Sequence, residues 1–66
     1  MDGTTYTIPA GTSCQCRYLG GREPWQPFVP SRTLTWQKPL RVESGFFTFK
    51  YGRLEVRVAR GLVRLG

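Results

Sequence analysis

One stretch near the C-terminus decides the fold: Phe46-Phe47-Thr48-Phe49-Lys50-Tyr51-Gly52-Arg53-Leu54-Glu55-Val56-Arg57-Val58-Ala59. Apolar and polar side chains alternate on both sides of Gly52, which is the pattern of β-strands with one buried and one exposed face. Gly52 also permits the tight reversal that a short hairpin loop requires. The stretch therefore predicts a β-hairpin, with one strand beginning at Phe47 and the other covering residues 53–59.

The rest of the chain consists of short alternating segments separated by glycine and proline. They lie around residues 5–8, 14–18 and 33–42, and Pro39 interrupts the last of them. Because proline has no backbone N–H, pairing near Pro39 is limited to an edge strand or a bulge. Residues 62–65 could add a short closing strand or a single 3₁₀ turn. No window shows the apolar periodicity of a helix.

Five or six short strands in a chain of 66 residues hide their edges best by curling into a small antiparallel barrel. We therefore predict an all-β protein with a barrel of the SH3-like or OB-like type, forming one domain over residues 1–66. The predicted core consists of Tyr6, Ile8, Cys14, Cys16, Leu34, Trp36, Val42, Phe47, Phe49, Leu54, Val56 and Val58.

Residues 20–32 lack strand alternation and carry a proline at every third position from Pro24 to Pro30. This spacing matches the three residues per turn of polyproline II and predicts a stiff loop with Trp25 and Phe28 on one face. Two interpretations are open. The two aromatic side chains fold back to cap an open end of the barrel, or they lie at a recognition surface, as binding residues on loops often do.

The chain is strongly basic, with ten Lys and Arg against four Asp and Glu and a net charge of +6. Such an excess favours anionic partners, and a predominance of arginine suits phosphate and carboxylate recognition. Alternation collects most of the charge on one side of the predicted sheet, where Glu43 and Glu55 can each pair with a neighbouring arginine. The candidate contacts to an anionic partner are Arg17, Arg41, Lys50, Arg53, Arg57, Arg60 and Arg64.

Aromatic side chains beside these cations supply candidate stacking positions. They are Trp25, Phe28 and Phe46. Phe46 points away from Phe47 and Phe49 by the alternation argument and so falls on the polar face. There it could stack on a base, or it could be buried by barrel closure or by a second copy of the chain.

The two cysteines and the absence of histidine restrict the chemistry of the chain. Cys14 and Cys16 cannot complete a four-ligand zinc site within one chain. On a strand they share a face, which fits two small buried side chains in a reducing compartment; the alternative is a redox pair or a metal site shared by two chains. We expect no metal and no cofactor.

Catalysis is not expected from this composition. Without histidine, proton transfer would depend on the four carboxylates, none of which has a second carboxylate close in sequence. No nucleophile has a base beside it, and the thiols lie in a predicted core strand, where they are inert. The sequence therefore favours a binding module over an enzyme.

In size and charge the chain resembles the compact, basic β proteins encoded by phages and other mobile elements, several of which bind and block a host protein. Two functions are open. One is nucleic-acid binding, to DNA or RNA, with Arg41, Lys50, Arg53 and Arg57 on phosphates. The other is an inhibitor or adaptor that docks on an acidic protein surface through residues 25–32 and the same arginines.

Self-association through Phe46 or an edge strand could accompany either function. The longest apolar run is far too short for a membrane span, and the N-terminus does not resemble a signal peptide. We therefore expect a cytoplasmic protein without a membrane partner.

Overall fold

A computed structural model describes residues 3–66 and shows an all-β protein, as the sequence predicts. It has eight strands and not the expected five or six, because Gln26–Phe28 forms a strand and the segment around residues 33–42 divides into two strands at Pro39. A five-stranded antiparallel sheet has the order β3-β2-β7-β6-β5, and a three-stranded sheet has the order β4-β1-β8. A 3₁₀ turn, Arg60–Leu62, connects β7 to β8. Met1 and Asp2, which the predicted domain includes, lie outside the described residues. The strands are β1 (Tyr6–Ile8), β2 (Cys14–Tyr18), β3 (Gln26–Phe28), β4 (Leu34–Trp36), β5 (Arg41–Glu43), β6 (Phe46–Tyr51), β7 (Leu54–Ala59) and β8 (Arg64–Leu65).

Neither sheet closes into a barrel over residues 3–66, so the expected SH3-like or OB-like barrel stays a prediction. Each sheet ends in two edge strands, which are β3 and β5 in the larger sheet and β4 and β8 in the smaller one. The chain repeatedly leaves one sheet for the other. One such change occurs across Pro39, between β4 and β5, where the missing N–H would interrupt a continuous ladder.

The predicted hairpin is confirmed and is the longest strand pairing within residues 3–66. Strands β6 and β7 pair from Phe46↔Ala59 to Tyr51↔Leu54. Gly52 has a φ of 61° at the first position of the two-residue loop, which only glycine adopts without strain. Arg53 lies in this loop and not in the strand, so its expected place on the sheet face is wrong.

The expectation of a strandless loop over residues 20–32 is also wrong. Gln26–Phe28 forms β3, which pairs with β2 in the register Gln15↔Pro27 and takes an edge position that tolerates proline. Side chains alternate with a period of two in a strand, so Trp25 and Phe28 lie on opposite sides of the sheet. Phe28 packs on the core beside Tyr51, at 5.9 Å between ring centroids, whereas Trp25 lies on the polar side.

The core fills the space between the two sheets. Trp36 on β4 stacks on Phe49 of β6, with ring centroids 4.4 Å apart and planes at 15°. Tyr6 on β1 contacts the same Phe49 ring at 5.8 Å. These aromatic contacts join the smaller sheet to the larger one. The buried cluster consists of Ile8, Cys14, Phe47, Phe49, Val56, Val58 and Val63.

Most of the predicted core is confirmed, with two corrections. Val42 is 56% exposed because β5 is an edge strand, and Val63, which the alternation does not mark, is buried. Cys14 and Cys16 are free thiols on the core face, Cys14 buried and Cys16 half-buried, as expected. Burial raises the pKa of the Cys14 thiol.

Replacing Phe49 by alanine should remove a large part of the stability of the protein. Loss of a fully buried phenylalanine costs about 3 to 5 kcal/mol, and a chain of this length has only about 3 to 10 kcal/mol of stability. The control is Val42→Ala at the exposed edge position, which should change the free energy of unfolding by less than about 0.5 kcal/mol. Urea denaturation followed by circular dichroism measures both, and similar losses for the two variants would contradict this description of the core.

Candidate functional site

The polar face of the five-stranded sheet is the side turned away from the core. Strand register places the side chains of β2 directly beside those of β7, with Gln15 opposite Arg57 and Arg17 opposite Glu55. Thr48 on β6 lies opposite Arg57 on β7 and Arg41 on β5. The polar face therefore carries Gln15, Arg17, Arg41, Glu43, Phe46, Thr48, Lys50, Glu55 and Arg57.

Glu55 is a buried carboxylate at the centre of this face, with 1% of its surface exposed. Arg17 Nε donates to Glu55 Oε2 at 3.0 Å, and Arg41 Nη2 donates to Glu55 Oε1 at 2.5 Å. Arg41 on β5 therefore reaches across β6 to a carboxylate on β7. The expected pairing of Glu55 is confirmed, whereas Glu43 makes no ion pair within residues 3–66.

The two arginines determine the protonation of Glu55. Burial alone would raise the pKa of the Glu55 carboxyl, but the hydrogen bonds and charges of Arg41 and Arg17 outweigh it. The pKa of Glu55 therefore lies below its ordinary value, and the carboxylate is ionised at neutral pH. The cluster of Glu55, Arg17 and Arg41 consequently carries a net charge of +1 and contributes less positive charge than its two arginines suggest.

Guanidinium groups and aromatic rings alternate beside the buried carboxylate. Arg17 lies over the Trp25 ring at 4.2 Å from the centroid, and Arg57 lies over the same ring at 4.6 Å. Arg57 also lies over the Phe46 ring at 4.8 Å. We call Phe46, Arg57, Trp25 and Arg17 the Arg–aromatic series. Such contacts are worth about 0.5 to 2 kcal/mol each, depending on burial, and they hold the long arginine side chains in place.

Arg57 is oriented by hydrogen bonds as well as by stacking. Its Nε and Nη2 both donate to Gln15 Oε1, at 3.1 and 2.6 Å. A guanidinium has five N–H donors, so three remain for a ligand. In the described part of the chain Arg57 meets no carboxylate, unlike Arg17 and Arg41.

A groove of about 530 Å³ opens beside Arg57. It is lined by apolar side chains from the neighbouring strands and loops, including Pro27, Val29 and Phe46, and by the polar residues Ser13 and Gln15. Val29 is 58% exposed and Phe46 is 36% exposed, so apolar surface faces solvent here. This volume is within the range of small-ligand sites.

The seven predicted basic contacts do not form one patch. Arg17, Arg41, Lys50 and Arg57 share the polar face, and Lys50 is exposed there. Arg53 lies in the hairpin loop. Arg60 lies in the 3₁₀ turn, 5.2 Å above the ring of the core residue Phe47, and Arg64 lies on β8 of the smaller sheet.

The three predicted aromatic contacts also separate. Phe28 packs against the core. Trp25 and Phe46 lie on the polar face, as alternation predicts for Phe46. Sequence reasoning missed Gln15 and Val29, because their proximity to Arg57 depends on the pairing of β2 with β3 and β7.

The comparisons with protein-family models, curated proteins and solved structures found no match for this chain. Residues 3–66 contain no helical segment with the length and hydropathy of a membrane span. The same residues contain no group of three His, Cys, Asp or Glu side chains placed to hold a metal ion.

Glu55→Gln should destabilise the protein by about 1 to 3 kcal/mol at pH 7, since it removes a charged acceptor from two arginines that remain partly hydrated. The wild-type protein should lose this contribution in acid. Because the pKa of Glu55 is lowered by folding, the stabilisation is fully present above the unfolded value of about 4.3 and is lost as pH falls through the folded value.

Urea titrations between pH 7 and pH 3 measure this effect. Glu55→Gln should flatten the acid-dependent part of the stability curve. The control, Glu43→Gln, removes an exposed carboxylate from the same face and should keep both that acid dependence and, within about 0.5 kcal/mol, the stability at pH 7. Equal behaviour of the two variants would contradict the role given to Glu55.

Proposed function

We propose that this chain is a non-enzymatic binding module that binds nucleic acid, DNA or RNA, through the polar face of its five-stranded sheet. The main support for the proposal is the set of contacts that the Arg57 guanidinium makes. Its guanidinium is fixed by Gln15, stacked on Trp25 and Phe46, and left with unused N–H groups beside an open groove. A fixed guanidinium binds phosphate with little loss of conformational entropy.

The charge of the molecule supports the same proposal. The net charge of +6 attracts a polyanion. Lys50 adds an exposed ammonium to the face that carries Arg57. Attraction between cations and phosphates carries no sequence information. We therefore expect binding that depends steeply on salt and weakly on sequence.

The chemistry of the polar face favours binding over catalysis. Its buried carboxylate, Glu55, is occupied by two arginines that lower its pKa, so it is a poor proton acceptor at neutral pH. The chain has no histidine, and the buried Cys14 thiol has a raised pKa, which disfavours the nucleophilic thiolate.

A second candidate is a small inhibitor or adaptor, of the kind encoded by phages and other mobile elements, that binds an acidic surface of a host protein. The exposed apolar side chains of Val29 and Phe46 next to Arg57 favour it. Arginine and aromatic residues are enriched among the residues that dominate protein–protein binding energy. A cytoplasmic location, as expected from the sequence, is compatible with either candidate.

Fluorescence anisotropy with labelled single-stranded and duplex oligonucleotides tests the first candidate. Wild-type protein should bind at about 50 mM salt and lose about tenfold or more in affinity at about 200 mM. The double variant Lys50→Gln/Arg57→Gln should weaken binding and reduce the slope of log affinity against log salt by about 1.4 for a single strand, the value for two lost phosphate contacts.

The control is Arg60→Gln/Arg64→Gln, which has the same net charge but loses cations away from the polar face. It should retain most of the affinity and the slope. Equal losses in the two double variants would show attraction by overall charge without a site. No binding at the lower salt would reject nucleic acid as the partner and leave the acidic protein surface.

A further inference from the structure

The groove beside Arg57 combines a cationic surface with an apolar one. Arg57 contributes a guanidinium with three unused N–H donors, and Pro27, Val29 and Phe46 contribute apolar surface. The polar residues Ser13 and Gln15 also line the groove. An inorganic anion would satisfy Arg57 but leave Pro27, Val29 and Phe46 in contact with water. A ligand that fits both carries an anionic group next to a flat apolar group.

A nucleotide has this combination. Its phosphate can accept hydrogen bonds from Arg57, and its base can pack against the apolar lining, which includes Phe46, with 36% of its surface exposed, and Val29. The groove volume of about 530 Å³ is large enough for one such unit. Stacking of a base on a protein side chain tolerates any base, because every base has an apolar face.

The distribution of cations argues against a duplex ligand. A duplex presents two phosphate backbones, so its tight binding requires a broad row of free cations. Here Arg17 and Arg41 are held by Glu55, and Arg60 and Arg64 lie away from the polar face. In a duplex the bases are also stacked on one another, so none can enter the groove without being unstacked.

We propose that the groove between Val29 and Phe46 holds one unpaired nucleotide, with its phosphate on Arg57, and that the ligand is therefore single-stranded nucleic acid. This inference rests on the proposed function and adds to it the form of the ligand and the position of one base.

Two single-stranded oligonucleotides of about ten residues separate base from phosphate recognition. One is oligothymidylate. The other is an abasic analogue of equal length, which has the same phosphates and sugars but no bases. Fluorescence anisotropy at low salt should give wild-type protein an affinity for oligothymidylate at least about fivefold higher than for the abasic analogue, since one stacked base contributes that much or more.

Three substitutions that leave the net charge unchanged test which side chains produce the preference for oligothymidylate over the abasic analogue. Phe46→Ala should bring the two affinities within about twofold of each other, because it removes the main apolar wall. Val29→Ser changes a side chain that is 58% exposed, so it should keep the melting temperature and still reduce the preference at least about twofold. The control is Val42→Ser, an equally exposed valine on β5 that does not line the groove, and it should leave the preference unchanged.

Several other results would overturn the inference, and they differ in what they leave standing. Equal wild-type affinity for the two oligonucleotides, or tighter binding of a duplex, would overturn the nucleotide-binding groove but leave nucleic-acid binding through phosphates. The same loss in Val42→Ser as in Val29→Ser would also overturn it. No binding of any oligonucleotide would reject the proposed function too, and binding of an acidic peptide that Phe46→Ala abolishes would then assign the groove to a protein partner.

Discussion

The buried carboxylate of Glu55 is the constraint on which the polar face depends. An ionised group with 1% of its surface exposed is tolerated only when its charge is compensated, and Arg17 and Arg41 provide that compensation from two other strands. The ion pairs also fix where Arg17 lies. Arg17 then stacks on Trp25, and Trp25 contacts Arg57. The position of Glu55 thus influences, through Arg17 and Trp25, where Arg57 lies beside the groove.

This arrangement divides the arginines of the face into two kinds. Arg17 and Arg41 neutralise an internal charge, which limits their capacity to bind phosphate without leaving Glu55 unpaired. Arg57 is held by a neutral amide and by aromatic rings, so its positive charge stays available. A count of basic residues cannot distinguish these roles, because both kinds alternate with apolar residues in the same way. The number of charges that a partner meets is therefore smaller than the net charge of +6 suggests.

Local pattern predicted the parts of the structure that depend on neighbours in sequence. The β6–β7 hairpin, the outward position of Phe46 and the polar face follow from a period of two and from one glycine. The pairing of Gln26–Phe28 with β2 could not be predicted, since prolines conceal the alternation. The exposure of Val42 was also missed, because an edge strand differs from a central one only in its long-range partners. For the same reason the contact of Arg57 with Gln15, across 42 residues of sequence, was not anticipated.

The composition of the edge strands disfavours pairing of the larger sheet with another chain. Open strand edges tend to pair with other chains, and proteins prevent this with proline and charged residues at the edges. Here Pro27 occupies the middle of β3 and lacks the N–H that a further strand would need, while β5 carries Arg41 and Glu43 on either side of Val42. Edge pairing with another copy is thereby disfavoured at both ends of the larger sheet. Self-association, if it occurs, would more readily involve Phe46 than a strand edge, and it would then compete with any ligand for the same groove.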